Sequence, residues 1–208
     1  MKKLQSSLTN MLLVLTAVAL VAGGVLAGVN EVTAPRIKKI NADNLSKGIR
    51  TVMGSDNVQV ASPEVKDGYE FYAVSDTDGQ SVGTAVTTAT QGFGGPLKVL
   101  VGFDSKGTIL GYTILESAET PGLGAKANTW FQKGQKGDVI GKNPRECNLT
   151  VSKDGGCVDA ITASTITSRA FLNAVQQAYN ELYARYDSQT SATNVQSEKN
   201  DMKGGQDE

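Results

Sequence analysis

The segment from Asp159 to Phe171 places a carboxylate beside a run of hydroxyl side chains. It reads DAITASTITSRAF, with Thr162, Thr165 and Thr167 among two Ser residues and the cation Arg169 directly behind them. A hydroxyl of this kind can cap a helix, and it can also carry a phosphate as an ester. The residue types alone leave both roles open.

An amphipathic pattern follows this segment and indicates where its hydroxyls lie. The spacing predicts a helix that begins between Thr165 and Ser168. One Thr or Ser at such a start is explained as a cap, whereas several are not. Because a helix start favours anions, a phosphate on a Thr here would meet backbone donors and Arg169. The apolar residues at helical spacing are Phe171, Leu172, Val175, Ala178, Tyr179, Leu182, Tyr183 and Tyr186.

Composition excludes several kinds of site. The 208 residues contain no His, so His-activated nucleophiles and the usual zinc and haem ligands are missing. Two Cys are too few for an iron–sulfur cluster, which normally takes four thiolates. A net charge of −1 argues against nucleic acid as a partner. We therefore expect no metal site, and an organic cofactor if the chain performs redox chemistry.

The N-terminal residues predict export of the rest of the chain. Between Lys3 and Glu31 there is no charged residue, and Met11 to Val29 is apolar apart from one Thr and a few Gly. At about 1.5 Å per residue such a helix can cross a hydrocarbon core of about 30 Å. The alternative is a cleaved signal peptide, with basic residues at the start and small residues near Ala27. The predicted organisation is an N-terminal tail and anchor at 1–30, an extracytoplasmic domain at 31–186 and a polar tail at 187–208.

The pattern after the anchor predicts an α+β domain with an antiparallel sheet and packed helices. Apolar residues at helical spacing indicate one or two helices that end at Gly54. Four strands follow between Tyr69 and Glu116, as two hairpins whose turns read DTDGQ and SKG. The Gly-rich QGFGGP between the hairpins indicates a close approach of the backbone. Strands followed by helices place the fold in the α+β class.

The end of the chain and its two Cys carry further expectations. Residues 187–208 contain no aromatic side chain and only two large apolar ones, which predicts a disordered polar tail. Cys147 and Cys157 lie ten residues apart. In an exported domain such a pair favours a disulfide over two unrelated small apolar side chains. The disulfide would close and constrain the loop that leads to Asp159.

The residues DAITAST, Asp159 to Thr165, resemble the flavinylation motif Asp-x-x-Ser/Thr-Gly-Ala-Thr. In proteins with that motif a flavin transferase joins the phosphate of FMN to the last Thr through a phosphodiester. The resemblance assigns the acceptor role to Thr165 and the earlier polar positions to Asp159 and Thr162. Ala163 stands where the family usually has Gly, and Ser164 where it usually has Ala. The first of these changes gives up the backbone freedom of Gly.

A second resemblance lies upstream, in the residues ETPGLG, Glu119 to Gly124. They are similar to a segment of the G subunits of Rnf electron-transport complexes (RnfG) and of the related NqrC subunits of sodium-pumping NADH:quinone reductases. Pro121 and Gly122 suit the central positions of a type II turn, because Pro sets φ and Gly supplies a positive φ. The N-terminal apolar run and GFGGPLKVLVGFD also fit, so the resemblance covers most of residues 1–186.

The resemblance implies an electron-carrier subunit with covalently attached FMN, which is not a catalyst on its own. The subunit would serve a membrane complex that couples electron transfer between ferredoxin and NAD to ion transport. Thr165 would anchor the cofactor and would not act as a nucleophile in turnover. The other implied cofactor contacts are Asp159, Thr162, Thr167 and Arg169 near the acceptor, and Glu119, Thr120, Gly122, Leu123 and Gly124 in the upstream segment.

The resemblance also implies partners and a location. The partners are other membrane subunits of an Rnf-type complex, membrane lipid, and a flavin transferase during maturation. The location is the bacterial inner membrane, crossed once, with the main domain on the extracytoplasmic side. Three alternatives stay open on the sequence. They are an NqrC-like subunit, a free-standing extracytoplasmic flavoprotein, and an exported scaffold module without flavin, in which the Thr-rich stretch only caps a helix.

Overall fold

The structure, a computed structural model, describes the backbone of residues 8–203 and the side chains of residues 8–186. The chain divides into two units, Met1–Asn44 and Leu45–Glu208. The boundary predicted after residue 30 marks the end of the apolar run, whereas the second unit begins fourteen residues later, at Leu45. The last residues of the first helix therefore belong to the folded domain.

A single helix, α1, spans Leu8–Met53. It is long and apolar enough to cross a membrane by length and composition, a test that a signal sequence also passes. The helix ends where the sequence predicts, because Gly54 adopts a φ of +67°. Its N–H donates to Thr51 O and the next N–H, of Ser55, donates to Arg50 O, at 3.3 Å each. This pair of bonds is the Schellman arrangement of a helix C-terminus.

The domain is built on a six-stranded antiparallel sheet. Its strands are β1 Val58–Val60, β2 Glu64–Lys66, β3 Tyr69–Asp76, β4 Ser81–Gln91, β5 Pro96–Phe103 and β6 Ile109–Ser117. They lie in the order β1-β3-β4-β5-β6, with β2 paired to β3. The two predicted hairpins, β3–β4 and β5–β6, are confirmed. Two short strands, β1 and β2, were not predicted, because three residues each carry too little pattern.

The sheet buries both of its faces. Along β5, Val99 and Val101 belong to the main core, while Leu100 between them belongs to a second core. Side chains alternate across a strand, so the two cores lie on opposite faces. The main core packs against the final helix, and the second packs against the end of α1 through Ile49, Val52 and Met53, among others.

Two glycines let the end of α1 approach the second face closely. Gly102 of β5 and Gly111 of β6 are partners in the ladder. A methyl group at Gly111 would lie 2.7 Å from Val52 O, and one at Gly102 would lie 2.9 Å from the same atom. Because no side chain stands at either position, the backbone of α1 rests directly on the sheet.

The final helix, α3, spans Thr165–Lys203 and begins within the predicted range. Phe171 anchors it in the main core, with its ring 4.3 Å from Phe131 and 4.7 Å from Tyr112, centroid to centroid. The backbone of α3 continues into the segment predicted to be a disordered tail. Side chains from residue 187 onward, and the whole of residues 204–208, lie outside the described part, so that prediction stays a prediction.

Between β6 and α3 the chain is mostly irregular and is held by specific contacts. A 3₁₀ turn at Gly124–Lys126 leads into a short helix, α2, Ala127–Trp130. The buried Tyr112 hydroxyl donates to Ala127 O at 2.6 Å and ties α2 to β6. A second 3₁₀ turn, Ser152–Asp154, lies inside the loop that the Cys147–Cys157 disulfide closes, where the two Cα atoms are 6.3 Å apart.

We expect the disulfide to be present in chain isolated from its native source and to contribute about 2 to 3 kcal/mol to stability, as a short closed loop should. Alkylation should detect both thiols only after reduction. Reductant should lower the thermal unfolding midpoint of the unaltered chain and leave a Cys147→Ser/Cys157→Ser control unmoved. Thiols that react before reduction would contradict the bridge.

Candidate functional site

The loop before α3 is fixed at Asp159 by two hydrogen bonds. Trp130 Nε1–H donates to the backbone O of Asp159 at 2.8 Å, and Ser152 Oγ donates to its Oδ1 at 3.0 Å. The first bond holds the chain and the second holds the carboxylate. Gly137 makes room for this contact, because a methyl group there would lie 2.6 Å from Trp130 Nε1.

A buried hydroxyl joins the same loop to the first turn of α3. Ser168 Oγ accepts from Ile161 N–H at 2.9 Å and donates to Ser164 O at 3.0 Å. Among the hydroxyls of this segment, Ser168 therefore satisfies the backbone at the helix start. Thr165, the first residue of α3, is half-buried, and its hydroxyl has no hydrogen-bond partner among the described residues. Its oxygen is thus not required for capping.

Ala163 has a left-handed backbone conformation, with φ of +63°. Ser164 N–H donates to Ile161 O at 3.0 Å and closes a turn with Ala163 at its third position. A positive φ at that position is typical of a type II turn, where Gly is the usual residue. The geometry gives a physical reason for Gly at the matching position of the flavinylation motif. Ala takes up the same conformation here at some strain.

The residues Glu119–Gly124 form the predicted turn and pack against a second glycine-rich segment. Leu123 N–H donates to Thr120 O at 3.1 Å and Gly122 has φ of +77°, as a type II turn requires. The buried Glu119 carboxylate reaches across to the loop before β5, where its Oε1 accepts from Phe93 N–H at 2.7 Å. Glu119 thereby holds the two loops together.

A first cleft, here named the Leu123 cleft, opens between this turn and the start of α3. It has a volume of about 310 Å³. Three of its rim residues are exposed apolar side chains, Phe93 at 69%, Leu123 at 43% and Ile166 at 53%. It brings together six of the predicted site residues, whereas Gly122 stays in the turn beside it. These six are Glu119, Thr120, Leu123, Gly124, Thr165 and Thr167.

A second cleft, the Asp159 cleft, lies next to the first and has a volume of about 320 Å³. It contains three predicted residues, Asp159, Thr162 and Thr165. Ala163 and Thr165 line both clefts, so Thr165, the predicted acceptor, lies on the border between them. Sequence reasoning missed the other polar and aromatic residues of this cleft, which are Trp130, Lys136, Ser152 and Lys153.

The structure places Arg169 apart from Thr165. Its Nε and Nη2 donate to the two carboxylate oxygens of Asp154 at 2.7 and 2.8 Å. The hydrogen bonds from Arg169 hold the pKa of Asp154 below its usual value. Both residues line a third cleft, the Arg169 cleft, of about 640 Å³, which does not include Thr165. Asp154 is fifteen residues from Arg169 along the chain, so no local sequence pattern predicts this ion pair.

Comparison with known proteins relates this arrangement to a family. Residues 92–180 match the FMN-binding domain family. The G subunit of the ion-translocating oxidoreductase complex of Cronobacter sakazakii is 46% identical over 102 residues, and the match spans 47% of either chain, about half of that relative. The G subunit of the Na(+)-translocating ferredoxin:NAD(+) oxidoreductase complex of Acetobacterium woodii is 33% identical over 193 residues, which are 82% of this chain and 90% of the relative.

One solved structure adds a likeness of fold. The crystal structure of Shewanella oneidensis NqrC aligns with a TM-score of 0.51 at 16% identity, and covers 70% of this chain and 99% of that one. At this identity the likeness extends to the fold alone. It agrees with the predicted antiparallel sheet and packed helices.

The strain at Ala163 generates a stability prediction. Ala163→Gly should stabilise the chain by about 0.5 to 1 kcal/mol, since relief of a left-handed Ala outweighs the added freedom of the unfolded chain. Ala160→Gly, whose φ is not positive, should instead destabilise it by about 0.4 to 1 kcal/mol. Urea unfolding of the detergent-solubilised chain measures both. Equal signs for the two variants would contradict the strain.

The packing around Glu119 generates a second prediction. A methyl group at Gly124 would overlap Glu119 Oε2 and lie 2.8 Å from Thr167 Oγ1, while one at Gly122 would touch nothing within 4 Å. Gly124→Ala should therefore displace the carboxylate and destabilise the chain by about 1 to 3 kcal/mol. Gly122→Ala is the control, because it strains only the backbone.

Amide hydrogen exchange distinguishes these two variants. Exchange at the Phe93 N–H should accelerate in Gly124→Ala, because its acceptor, Glu119 Oε1, moves away. It should keep the unaltered rate in Gly122→Ala. An unchanged Phe93 rate in both variants would show that Glu119 does not hold the two loops together.

Proposed function

This chain belongs to the family of G subunits of ion-translocating oxidoreductase complexes, and from that membership we propose that it carries FMN covalently on Thr165. The observation that supports this most directly is the position of Thr165. It stands at the acceptor place of the motif, on the border of two clefts, within the range that matches the FMN-binding domain. Its hydroxyl has no competing hydrogen bond among the described residues.

The residues around Thr165 fit a flavin nucleotide. Each of the two clefts has a volume at the lower end of the range for small-molecule sites, about 300 to 1,000 Å³. The Leu123 cleft offers exposed apolar side chains that suit a flat aromatic ring. The close contact of Gly124 with Glu119 and Thr167 shapes its floor, since a Cβ at that position would not fit.

The protein residues have separate roles in this proposal. Leu123 and Gly124 line one side of the flavin ring, and Phe93 lies on the opposite loop. Thr120 and Gly122 form the turn that presents Leu123, and Thr167 contributes to the inner surface of the cleft. Asp159 and Thr162 assist recognition or chemistry during attachment by a separate transferase. FMN when bound supplies one- or two-electron transfer, which these side chains tune through noncovalent contacts.

The activity of the assembled complex is part of the proposal. The Acetobacterium woodii relative is named for sodium-translocating ferredoxin:NAD(+) oxidoreduction, and we propose that this chain relays electrons in a complex of that kind. An NqrC-like role is less well supported, because that likeness is one of fold. A scaffold without flavin fits poorly with the match to the FMN-binding domain over residues 92–180.

The proposed location follows from two features at different places in the chain. The apolar part of α1 suits a single membrane anchor, and the Cys147–Cys157 bridge suits an oxidising compartment. The domain would then lie on the extracytoplasmic side of the bacterial inner membrane. Its partners would be the other membrane subunits of the complex, membrane lipid, and a flavin transferase during maturation.

Attachment at Thr165 is tested by mass. Co-expression with a flavin transferase should yield a full chain heavier by one FMN less one water. Thr165→Val should keep the unmodified mass because it lacks the oxygen, while Thr165→Ser should retain part of the modification. The oxygen makes no hydrogen bond with residues 8–186, so Thr165→Val should change stability by less than about 0.5 kcal/mol.

Two control variants fix the register of the motif. Thr162→Val and Thr167→Val should both gain the mass of the flavin, since neither carries the acceptor oxygen. If Thr165→Val is modified and one of the two control variants is not, the acceptor is the Thr that the unmodified variant lacks. An unmodified wild-type chain, under conditions that modify an established substrate of the transferase, would remove the proposal.

A further inference from the structure

The three clefts around the start of α3 differ in charge. In the Leu123 cleft the charged lining residue is Glu119, which contributes a negative charge. In the Arg169 cleft the guanidinium and Asp154 form an ion pair and cancel. The Asp159 cleft contains two cations, Lys136 and Lys153, against one carboxylate. It is the one of the three whose lining has a net positive charge.

The two lysines stand on segments that are tied to the Asp159 loop. Lys136 precedes Gly137, which packs against Trp130 and the Asp159 carbonyl. Lys153 lies in the 3₁₀ turn Ser152–Asp154, next to the Ser152 hydroxyl that bonds Asp159. The disulfide closes the loop that carries Lys153. Both side chains are exposed, and neither forms an ion pair within residues 8–186.

We propose that Lys136 and Lys153 hold the phosphate that links the flavin to Thr165, in the Asp159 cleft. This inference rests on the proposed attachment of FMN. A phosphodiester carries one negative charge, which Lys136 and Lys153 attract and the buried Glu119 of the other cleft repels. Because Thr165 lines both clefts, the phosphate lies on one side of it and the ring on the other.

In this proposal the flavin ring and the phosphate occupy different clefts, each matched to it in polarity. The Leu123 cleft, with its apolar rim, receives the uncharged ring. The Asp159 cleft receives the anion, with two ammonium groups as donors for charge-assisted hydrogen bonds. Arg169, the cation that the sequence pattern favours for this contact, is held by Asp154 instead.

The first test compares lysine reactivity in loaded and unloaded full-length chain. The loaded wild type and the unloaded Thr165→Val variant are purified away from the transferase and acetylated briefly, and each lysine is quantified by mass spectrometry. Lys136 and Lys153 should react roughly two- to fivefold more slowly in the loaded chain, the size expected of exposed ion pairs. Lys133, which is exposed and outside the three clefts, should react equally in both.

An additional arm separates the tethered phosphate from free phosphate. Inorganic phosphate at millimolar concentration is added to the unloaded Thr165→Val chain before acetylation. If it protects the two lysines while covalent loading does not, the cleft is a site for free phosphate and the proposal is overturned. Equal reactivity of Lys136 and Lys153 in every sample also overturns it.

The second test measures attachment in lysine variants. Lys136→Gln and Lys153→Gln should each be loaded by purified transferase more slowly than the control Lys133→Gln, and the double variant more slowly still. If the lysine variants are loaded slowly, but Lys136 and Lys153 are not protected from acetylation in the loaded wild type, the lysines contact the transferase and not the phosphate. That result contradicts the proposal. Loading at the control rate in the double variant would also contradict it.

The two proposals fail in different ways. A wild-type chain that gains no flavin mass removes the attachment at Thr165 itself. A wild-type chain that is fully loaded, but whose Lys136 and Lys153 stay as reactive as in Thr165→Val, retains the attachment and removes only the phosphate contact.

Discussion

The geometry of the site depends on how one buried backbone N–H is satisfied. Ile161 lies in the core, and its N–H has the hydroxyl of Ser168 as acceptor. Loss of such a partner costs about 1 to 3 kcal/mol, so the loop is held against the first turn of α3. The same hydroxyl donates to Ser164 O. This arrangement keeps the tight turn at Ala163 and leaves Thr165 facing both clefts.

The sheet supports this helix start and is buried on both faces. Thr90 of β4 donates to Ala170 O at 3.1 Å, and Phe171 packs between the rings of Phe131 and Tyr112. On the opposite face, the glycine pair Gly102 and Gly111 receives the end of α1. The helix that carries Thr165 and the end of α1 therefore contact the same strands from opposite sides.

Local patterns predicted the features that local forces determine. The stop at Gly54, the two hairpins, the Pro121-Gly122 turn and the start of α3 all follow from backbone preferences of a few neighbouring residues. Contacts between distant segments were not predictable in this way. The ion pair of Arg169 with Asp154 and the two lysines of the Asp159 cleft depend on how irregular loops pack. The run of apolar residues in β5 signals burial, but it does not say that alternate side chains enter two separate cores.

Trp130 gives the molecule a property beyond its structural role. It is the only tryptophan in the chain, and its indole lines the Asp159 cleft while it holds the carbonyl of Asp159. Indole emission overlaps flavin absorption. Energy transfer to a flavin on Thr165 would therefore quench the fluorescence of Trp130. The chain therefore contains its own optical reporter. Attachment of a flavin at Thr165 would then be visible in unlabelled protein as a continuous fall in ultraviolet emission.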